Sequence, residues 1–297
     1  MLKTSLLFAV ALAGTQVSAM SVDPAYTMRI EKWRADRVER LRAPDGWLSL
    51  VGLEWLKPGS NRIGSAKDND IVLGGGPAHL GQVDVGDGKV VIELAADSGA
   101  TIDGKPLQRA ELLDDAQPAP TLVDVGSIRF YLVERSGKLG LRIKDAQAKT
   151  RVEFAGIENY AIDPGWRIEA TWVPFDPPHT LEIPNVTGVI DHLPVPGKAV
   201  FERDGKTWEL LPVIDDPDEK QLFFIFADRS SGKDTYGGGR FLYAQPPQDG
   251  KVVLDFNKAY NPPCAFTAFA TCPLAPPENR LGVTVNAGEK KYRGAGH

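Results

Sequence analysis

From Trp47 to the C-terminal region the chain repeats one pattern. Apolar runs of three to eight residues alternate with Gly, Asp and Pro. Such runs are too short for most helices but long enough for strands, and the punctuation between them is turn chemistry. Glycine at 30 and proline at 23 positions supply the many turns this requires. The spacing predicts strands over 61–64, 70–73, 81–85, 89–94, 99–102, 121–125, 128–134 and 139–144. A second series is predicted over 152–155, 166–173, 180–183, 186–190, 199–203, 206–213, 221–226, 240–244, 251–255 and 281–285. Asp87-Gly88 between Val83/Val85 and Val90/Ile92 is a hairpin signal, and Asp103-Gly104 is another turn of the same kind. The fold class is therefore mainly β, as two β-sandwich or barrel-like domains preceded by one short helix.

That helix is predicted over 24–42. Tyr26, Ile30, Trp33, Val38 and Leu41 fall near one face, and Pro44-Asp45-Gly46 ends it. Arg29, Lys32, Arg37 and Arg40 fall on a charged face, expected to be solvated. The division expected is a signal peptide over 1–19, the helix and its lead-in over 20–46, one β domain over 47–149 and a second over 150–297. Polar residues from Asp145 to Arg151 mark the boundary.

Upstream, Lys3, the apolar run Leu6–Leu12 and Val17-Ser18-Ala19 follow the order of a secretory signal. The run is shorter than the about 20 residues needed to span a bilayer, and no later stretch replaces it. Export to the periplasm or beyond is expected, with no transmembrane segment in the mature protein. The remaining 278 residues (297 minus 19) carry a formal charge of -6, because Lys3 leaves a chain whose net charge is -5. That balance speaks against nucleic acid as a partner. Cys264 and Cys272 are the only cysteines. In an oxidising compartment they are expected to form a disulfide. A structural zinc site would need four ligands, so no metal is expected.

Two stretches resemble known families. Ile63-Gly64-Ser65, Asp70-Ile71-Val72-Leu73, Pro77-Ala78-His79 and Ser98-Gly99-Ala100-Thr101 before Asp103-Gly104 resemble a forkhead-associated domain over 59–107. The resemblance implies a β-sandwich. Ser65 and Pro77-Ala78 stand where that family normally has the Arg and Ser-Arg that hold a phosphate. A degenerate fold without phosphopeptide binding is expected, since phosphate recognition needs charge-assisted donors. A second set of motifs is Trp47–Leu56, Phe226–Leu242, Asp255–Phe266 and Cys272–Leu281. It resembles the bacterial and archaeal family catalogued as domain of unknown function sixteen eighty-four. That resemblance implies no activity and no cofactor. It marks the C-terminal block as the family's signature, with Ala275 where the family more often has Pro.

This block is dense in polar groups. Gly237-Gly238-Gly239 offers backbone N–H groups that could cradle an anion, and Arg240 a bidentate fork. Tyr236, Asn257, Tyr260, Asn261, Asn279 and Arg280 are the other candidate ligand-binding residues. Asp228, Asp234, Asp255 and Glu278 are candidate catalytic carboxylates, and Glu289 lies just beyond. The competing reading is a Gly-rich hairpin with Arg240 paired to Asp228 or Asp234. There is no Gly-x-Ser-x-Gly elbow and no His-Glu-x-x-His pair. Three functions stay open: an exported protein that binds a small polar or anionic ligand or an envelope component, a hydrolase using Asp/Glu with Arg240, and a purely structural module. If the signal is read as expected, mass spectrometry of the exported protein will find its N-terminus at Met20 or within a few residues. An intact Met1 would refute that.

Overall fold

The structure is a computed structural model that describes residues 23–106, 108–135, 137–216 and 218–294. The expected signal segment and His297 lie outside the described residues.

Helix α1 (Pro24–Arg42) begins where its sequence says it should. The Asp23 carboxylate accepts from Ala25 N at 2.9 Å, and Pro24 takes the first helical position. Its buried stripe is Tyr26, Ile30, Arg37 and Leu41. Arg37 is a departure from the expected solvated face. The C-terminal loops close over it, and a carboxylate meets it there.

Ten strands follow: β1 (Leu50–Trp55), β2 (Gly59–Gly64), β3 (Ile71–Val72), β4 (Gly81–Gly86), β5 (Lys89–Leu94), β6 (Thr101–Ile102), β7 (Arg109–Glu111), β8 (Val123–Val125), β9 (Ile128–Arg135) and β10 (Lys138–Asp145). They form two five-stranded sheets, ordered β1-β10-β9-β8-β6 and β3-β2-β4-β5-β7. The sheets share one core, in which Ile63, Val83 and Ile92 of one meet Val123, Phe130 and Leu141 of the other. This is the expected sandwich. Asp87-Gly88 joins β4 to β5 with φ of 51° and 72°. Two successive positive φ values define the turn that matches strand twist, and Asp-Gly tolerates them.

The strand expected over 152–155 is not formed. One helical turn, α2 (Lys149–Val152), takes its place. Beyond it a four-stranded sheet is ordered β13-β12-β11-β16, from β11 (Arg167–Pro184), β12 (Ile190–Arg203), β13 (Lys206–Leu210) and β16 (Lys251–Asp255). β11 and β12 are each longer than the paired short runs expected, and their register shifts between Pro174 and His179. The segment 281–285, expected as a strand, bends at Gly282 and Val283 and joins no sheet. The hairpin of β14 (Leu222–Phe226) and β15 (Arg240–Ala244) stands apart as its own two-stranded sheet. Its two faces serve different cores. Phe224, Phe226, Leu242 and Ala244 pack with Val252, Leu254 and Phe256. Phe223, Ile225 and Phe241 pack with Leu181, Ile183 and Val195. A strand buried on both faces reads as an unbroken apolar run, as Leu-Phe-Phe-Ile-Phe does.

α1 is tied to the C-terminal half by Tyr26, whose hydroxyl donates to Asp255 Oδ1 at 2.8 Å and accepts from Asn257 Nδ2 at 3.0 Å. Burial pushes the Tyr26 hydroxyl far above its ordinary range, and the Asp255 carboxylate adds to this, so it stays a donor. Tyr26→Phe should cost about 1–3 kcal/mol, the usual loss when a buried carboxylate forfeits a donor. Urea unfolding measures this. An unchanged midpoint would mean that this hydrogen bond adds nothing to the hold on the helix.

Candidate functional site

Of the two readings open for Arg240, the structure has the pair with Asp228, and the side chain lies in the interior. Arg240 has 0% exposure. Its Nη2 donates to Asp228 Oδ2 at 2.7 Å and to Val285 O at 2.9 Å, and Nη1 donates to Ala287 O. Asp228 Oδ1 accepts from Ser230 N at 2.7 Å. The pair fastens the turn after β14 to the 283–289 segment. Arg240 Nε meets no acceptor among the described residues and lies inside the core, with the guanidinium over the Phe226 ring at 5.3 Å. Gly239 has φ +102°, and a Cβ there would lie 2.7 Å from Phe226 O. Gly239 thus lets its backbone pack closely on that of Phe226.

The other expected residues are spread among separate structural duties. Asn257 is wholly buried and bonds both Asp163 N (2.9 Å) and Asp163 O (2.8 Å). Asn279 bridges Leu211 N and O, each at 2.8 Å, and Ile225 O. Asn261 Nδ2 donates to Lys290 O. Asp234, Glu278 and Arg280 are exposed. No hydrogen bond joins Asp228, Asp234, Asp255 and Glu278 to one another. Tyr236 packs between two apolar clusters, and burial pushes its hydroxyl up to about 12.

Cys264 and Cys272 are thiols in the structure, and the expected disulfide is not made. The two are buried side by side and meet through hydrogen bonds instead. Cys264 N donates to Cys272 Sγ at 3.1 Å, Cys272 N to Cys264 Sγ at 3.3 Å, and the Cys264 thiol to Ala270 O at 3.3 Å. These bonds close the loop that the covalent link was expected to close. In the sandwich, the Ser65 hydroxyl donates to Gly76 O at 2.9 Å, so it is engaged by its own loop.

A different site lies where the sandwich meets the C-terminal half. It is a cleft of about 400 Å³. One wall is the β14–β15 hairpin, where Phe223 sits opposite Tyr243 in the register with the rings stacked at 4.8 Å. Phe241 stands edge-on to Phe223 at 4.9 Å and to Tyr260 at 5.8 Å. The opposite wall is the outer face of β10 and β9. On β10, Leu141 and Ile143 point into the sandwich core. Arg142 between them therefore points outward, because strand side chains alternate. It is met there by Trp47, with its guanidinium 5.5 Å from the ring centre.

Arg142 is the unusual group. It is 5% exposed. Its Nε is sealed from solvent without an acceptor, and its side chain makes no hydrogen bond among the described residues. The nearest carboxylate, Asp115, lies 3.6 Å away, beyond normal hydrogen-bond length. Arg135 explains why. It takes both oxygens of Asp115, with Nη1 donating to Oδ1 at 2.8 Å and Nη2 to Oδ2. Arg37 reaches the cleft from α1, its guanidinium 4.4 Å above the Tyr260 ring and its Nε donating to Glu289 Oε1 at 3.0 Å. Asp215 is the one carboxylate among the described lining residues. Burial holds its carboxyl above the usual range, helped by Asp216 and Glu219, so it sheds charge early as pH falls. Burial pushes the Tyr243 hydroxyl up to about 12 and the Tyr260 hydroxyl higher. Both are neutral donors at physiological pH. Of the residues singled out from sequence, Tyr260 and Cys272 line this cleft.

Residues 152–290 match the family described as "Protein of unknown function (DUF1684)". The chain belongs to this family. The DUF1684 segment contributes the aromatic wall of the cleft, whereas Trp47–Leu56, Arg37 and Arg142 lie before it. An uncharacterized protein of Haloarcula marismortui, solved by solution NMR, is 32% identical over 47% of this chain and 78% of that chain, with a TM-score of 0.40. The FhaA FHA domain, solved in complex with an intracellular domain, is 17% identical over 31% of this chain and 97% of that one, with a TM-score of 0.22. The FHA-2 domain of a Mycobacterium tuberculosis ABC transporter is 29% identical over 31% of this chain and 81% of that one, with a TM-score of 0.24. No curated protein matches the chain.

The Arg240–Asp228 pair makes a direct statement about stability. Arg240→Ala leaves Asp228 buried and unpaired, which should cost about 3–5 kcal/mol in urea unfolding. The double change Arg240→Met with Asp228→Leu should recover much of that loss, since an apolar replacement removes both buried charges. A single variant as stable as the parent would contradict the pairing.

Proposed function

We propose that this protein works outside the cytoplasm as a binding protein for an anionic ligand with an aromatic or otherwise flat apolar body, held in the cleft between β10 and the β14–β15 hairpin. Arg142 carries the reading. Its Nε is sealed from solvent without an acceptor, a costly arrangement for an ion, while its Nη fork stays open to the cleft. Proteins keep such groups where a ligand completes them. Here a carboxylate, sulfonate or phosphate would supply paired acceptors to the Arg142 fork. The half-buried Tyr243 and Tyr260 rings, backed by Phe223, offer apolar surface to the body of the ligand, and pockets of this size and lining suit small molecules. Export is supported by the signal-like order of Lys3, Leu6–Leu12 and Val17-Ser18-Ala19.

The test is Arg142→Met, measured for stability and for binding of biphenyl carboxylate against its neutral methyl ester by calorimetry. The parent should bind the acid and discriminate against the ester. The variant should lose about tenfold or more in affinity for the acid, the scale of one charge-assisted contact of 1.4 kcal/mol. Its unfolding midpoint should be equal or higher, because a long apolar side chain replaces an unsatisfied ion. A loss of several kcal/mol in stability would mean that Arg142 is a structural group and would sink the proposal.

A further inference from the structure

Tyr243 and Tyr260 each have a second side. Beyond them lies another cavity of about 440 Å³, floored by the C-terminal half of α1. Trp33, Arg37 and Arg40 are spaced i, i+4 and i+7 on that helix, so they share one face. Lys258 and Gln221 close the cavity from the C-terminal half. Trp33 is tilted against Tyr260 with ring centres 6.2 Å apart. The Tyr243 and Tyr260 rings lie within 13° of parallel, 6.5 Å between centres. Arg37, Tyr243 and Tyr260 line both this cavity and the Arg142 cleft. The two spaces are therefore lobes of one groove that share an aromatic waist.

Charge is what distinguishes this groove from the rest of the molecule. Its described lining holds five cations, Arg37, Arg40, Arg135, Arg142 and Lys258, against the single carboxylate of Asp215. The chain as a whole has the opposite balance, with 39 acidic and 34 basic residues. Arg135 is neutralised by Asp115 and Arg37 by Glu289. That leaves Arg142 at one end with only a share of Asp115, 3.6 Å away and already bound by Arg135. Arg40 and Lys258 at the other make no ion pair or hydrogen bond among the described residues. Two ends with surplus positive charge, separated by tyrosine rings, select a particular shape of partner.

We infer that the ligand is an elongated dianion, with one anionic group on Arg142, a flat apolar body over Tyr243 and Tyr260, and a second anionic group between Arg40 and Lys258. This deepens the anion-binding reading and rests on it. The second anion would sit in a partly enclosed lobe, where attraction is less screened than at an open surface. The first lobe sets orientation through the guanidinium fork, and the second sets length.

The experiment compares biphenyl carboxylate with biphenyl dicarboxylate, the same body with one or two charged ends. Calorimetry is run on the full mature chain and on the double variant Arg40→Gln/Lys258→Gln. In the parent the dicarboxylate should bind about tenfold more tightly, which corresponds to 1.4 kcal/mol, and its affinity should fall more steeply with salt. In the double variant the ratio of the two affinities should collapse to within roughly twofold, a difference below RT. Equal affinities in the parent, with the monocarboxylate still bound through Arg142, would overturn the dianion inference and leave the anion site standing. A preference for the dicarboxylate that survives in the double variant would overturn the assignment of Arg40 and Lys258. If neither acid binds the parent, both the inference and the anion site fall. Because Arg40 is exposed and Lys258 makes no ion pair, the thermal midpoint of the double variant should match the parent.

Discussion

The buried pair of Arg240 and Asp228 is the constraint on which the C-terminal half depends. Arg240 is held without exposure at the start of β15, and its three-way grip on Asp228, Val285 and Ala287 fixes the segment that ends at Glu289. Glu289, at 1% exposure, then holds two further elements. Its Oε2 accepts from Asn261 N at 2.7 Å and its Oε1 from Arg37 on α1. One interior charge pair thus fixes a loop, the loop positions a second carboxylate, and that carboxylate brings the helix and its arginine to the cleft. Each buried charge in this series has its partner, as the cost of desolvation requires.

Arg142 stands outside that series, and the contrast gives it meaning. Arg240 and Arg37 are buried and answered by carboxylates. Arg142 is just as buried and is answered by an aromatic ring and a carboxylate already taken by Arg135. Attraction between a guanidinium and a Trp face is worth about 0.5–2 kcal/mol, less than the desolvation of an ion. The sandwich and the C-terminal half therefore meet around a positive charge that has only half of one carboxylate, the other claim on Asp115 being Arg135. The two-faced β14–β15 hairpin makes this geometry possible, since each face packs in a hydrophobic cluster and the edge of the second, at Phe223, Phe241 and Tyr243, also lines the cleft.

The local chemistry of the chain was legible from its sequence. Asp23-Pro24 starts the helix, Asp87-Gly88 makes its turn, and the alternation along β4, β5, β9 and β10 assigns the sandwich core, because these depend on neighbours two to four residues away. Structure departs from the local pattern where length or burial is set from a distance. β11 and β12 run through stretches expected to break them, since each supports the other along most of its length. Residues 281–285 have strand-like composition, but their backbone is claimed by Ala227, Arg229 and the Arg240 side chain.

For the site the division is sharper. By itself the sequence determined that the C-terminal block holds Arg240, Asp228, Asn257, Asn261 and Asn279 among turns, and polar groups so placed must bond to something. Only the tertiary structure decided that they bond to the protein. In the same way Leu141-Arg142-Ile143 reads as a strand with a charged outer face, which in isolation means a solvated arginine. The covering of that face by Trp47 and by a hairpin about eighty to a hundred residues further along turns it into a buried charge. Hydrogen-bond partners and burial are properties of the folded surface, and a local pattern fixes which way a side chain points but not what comes to meet it.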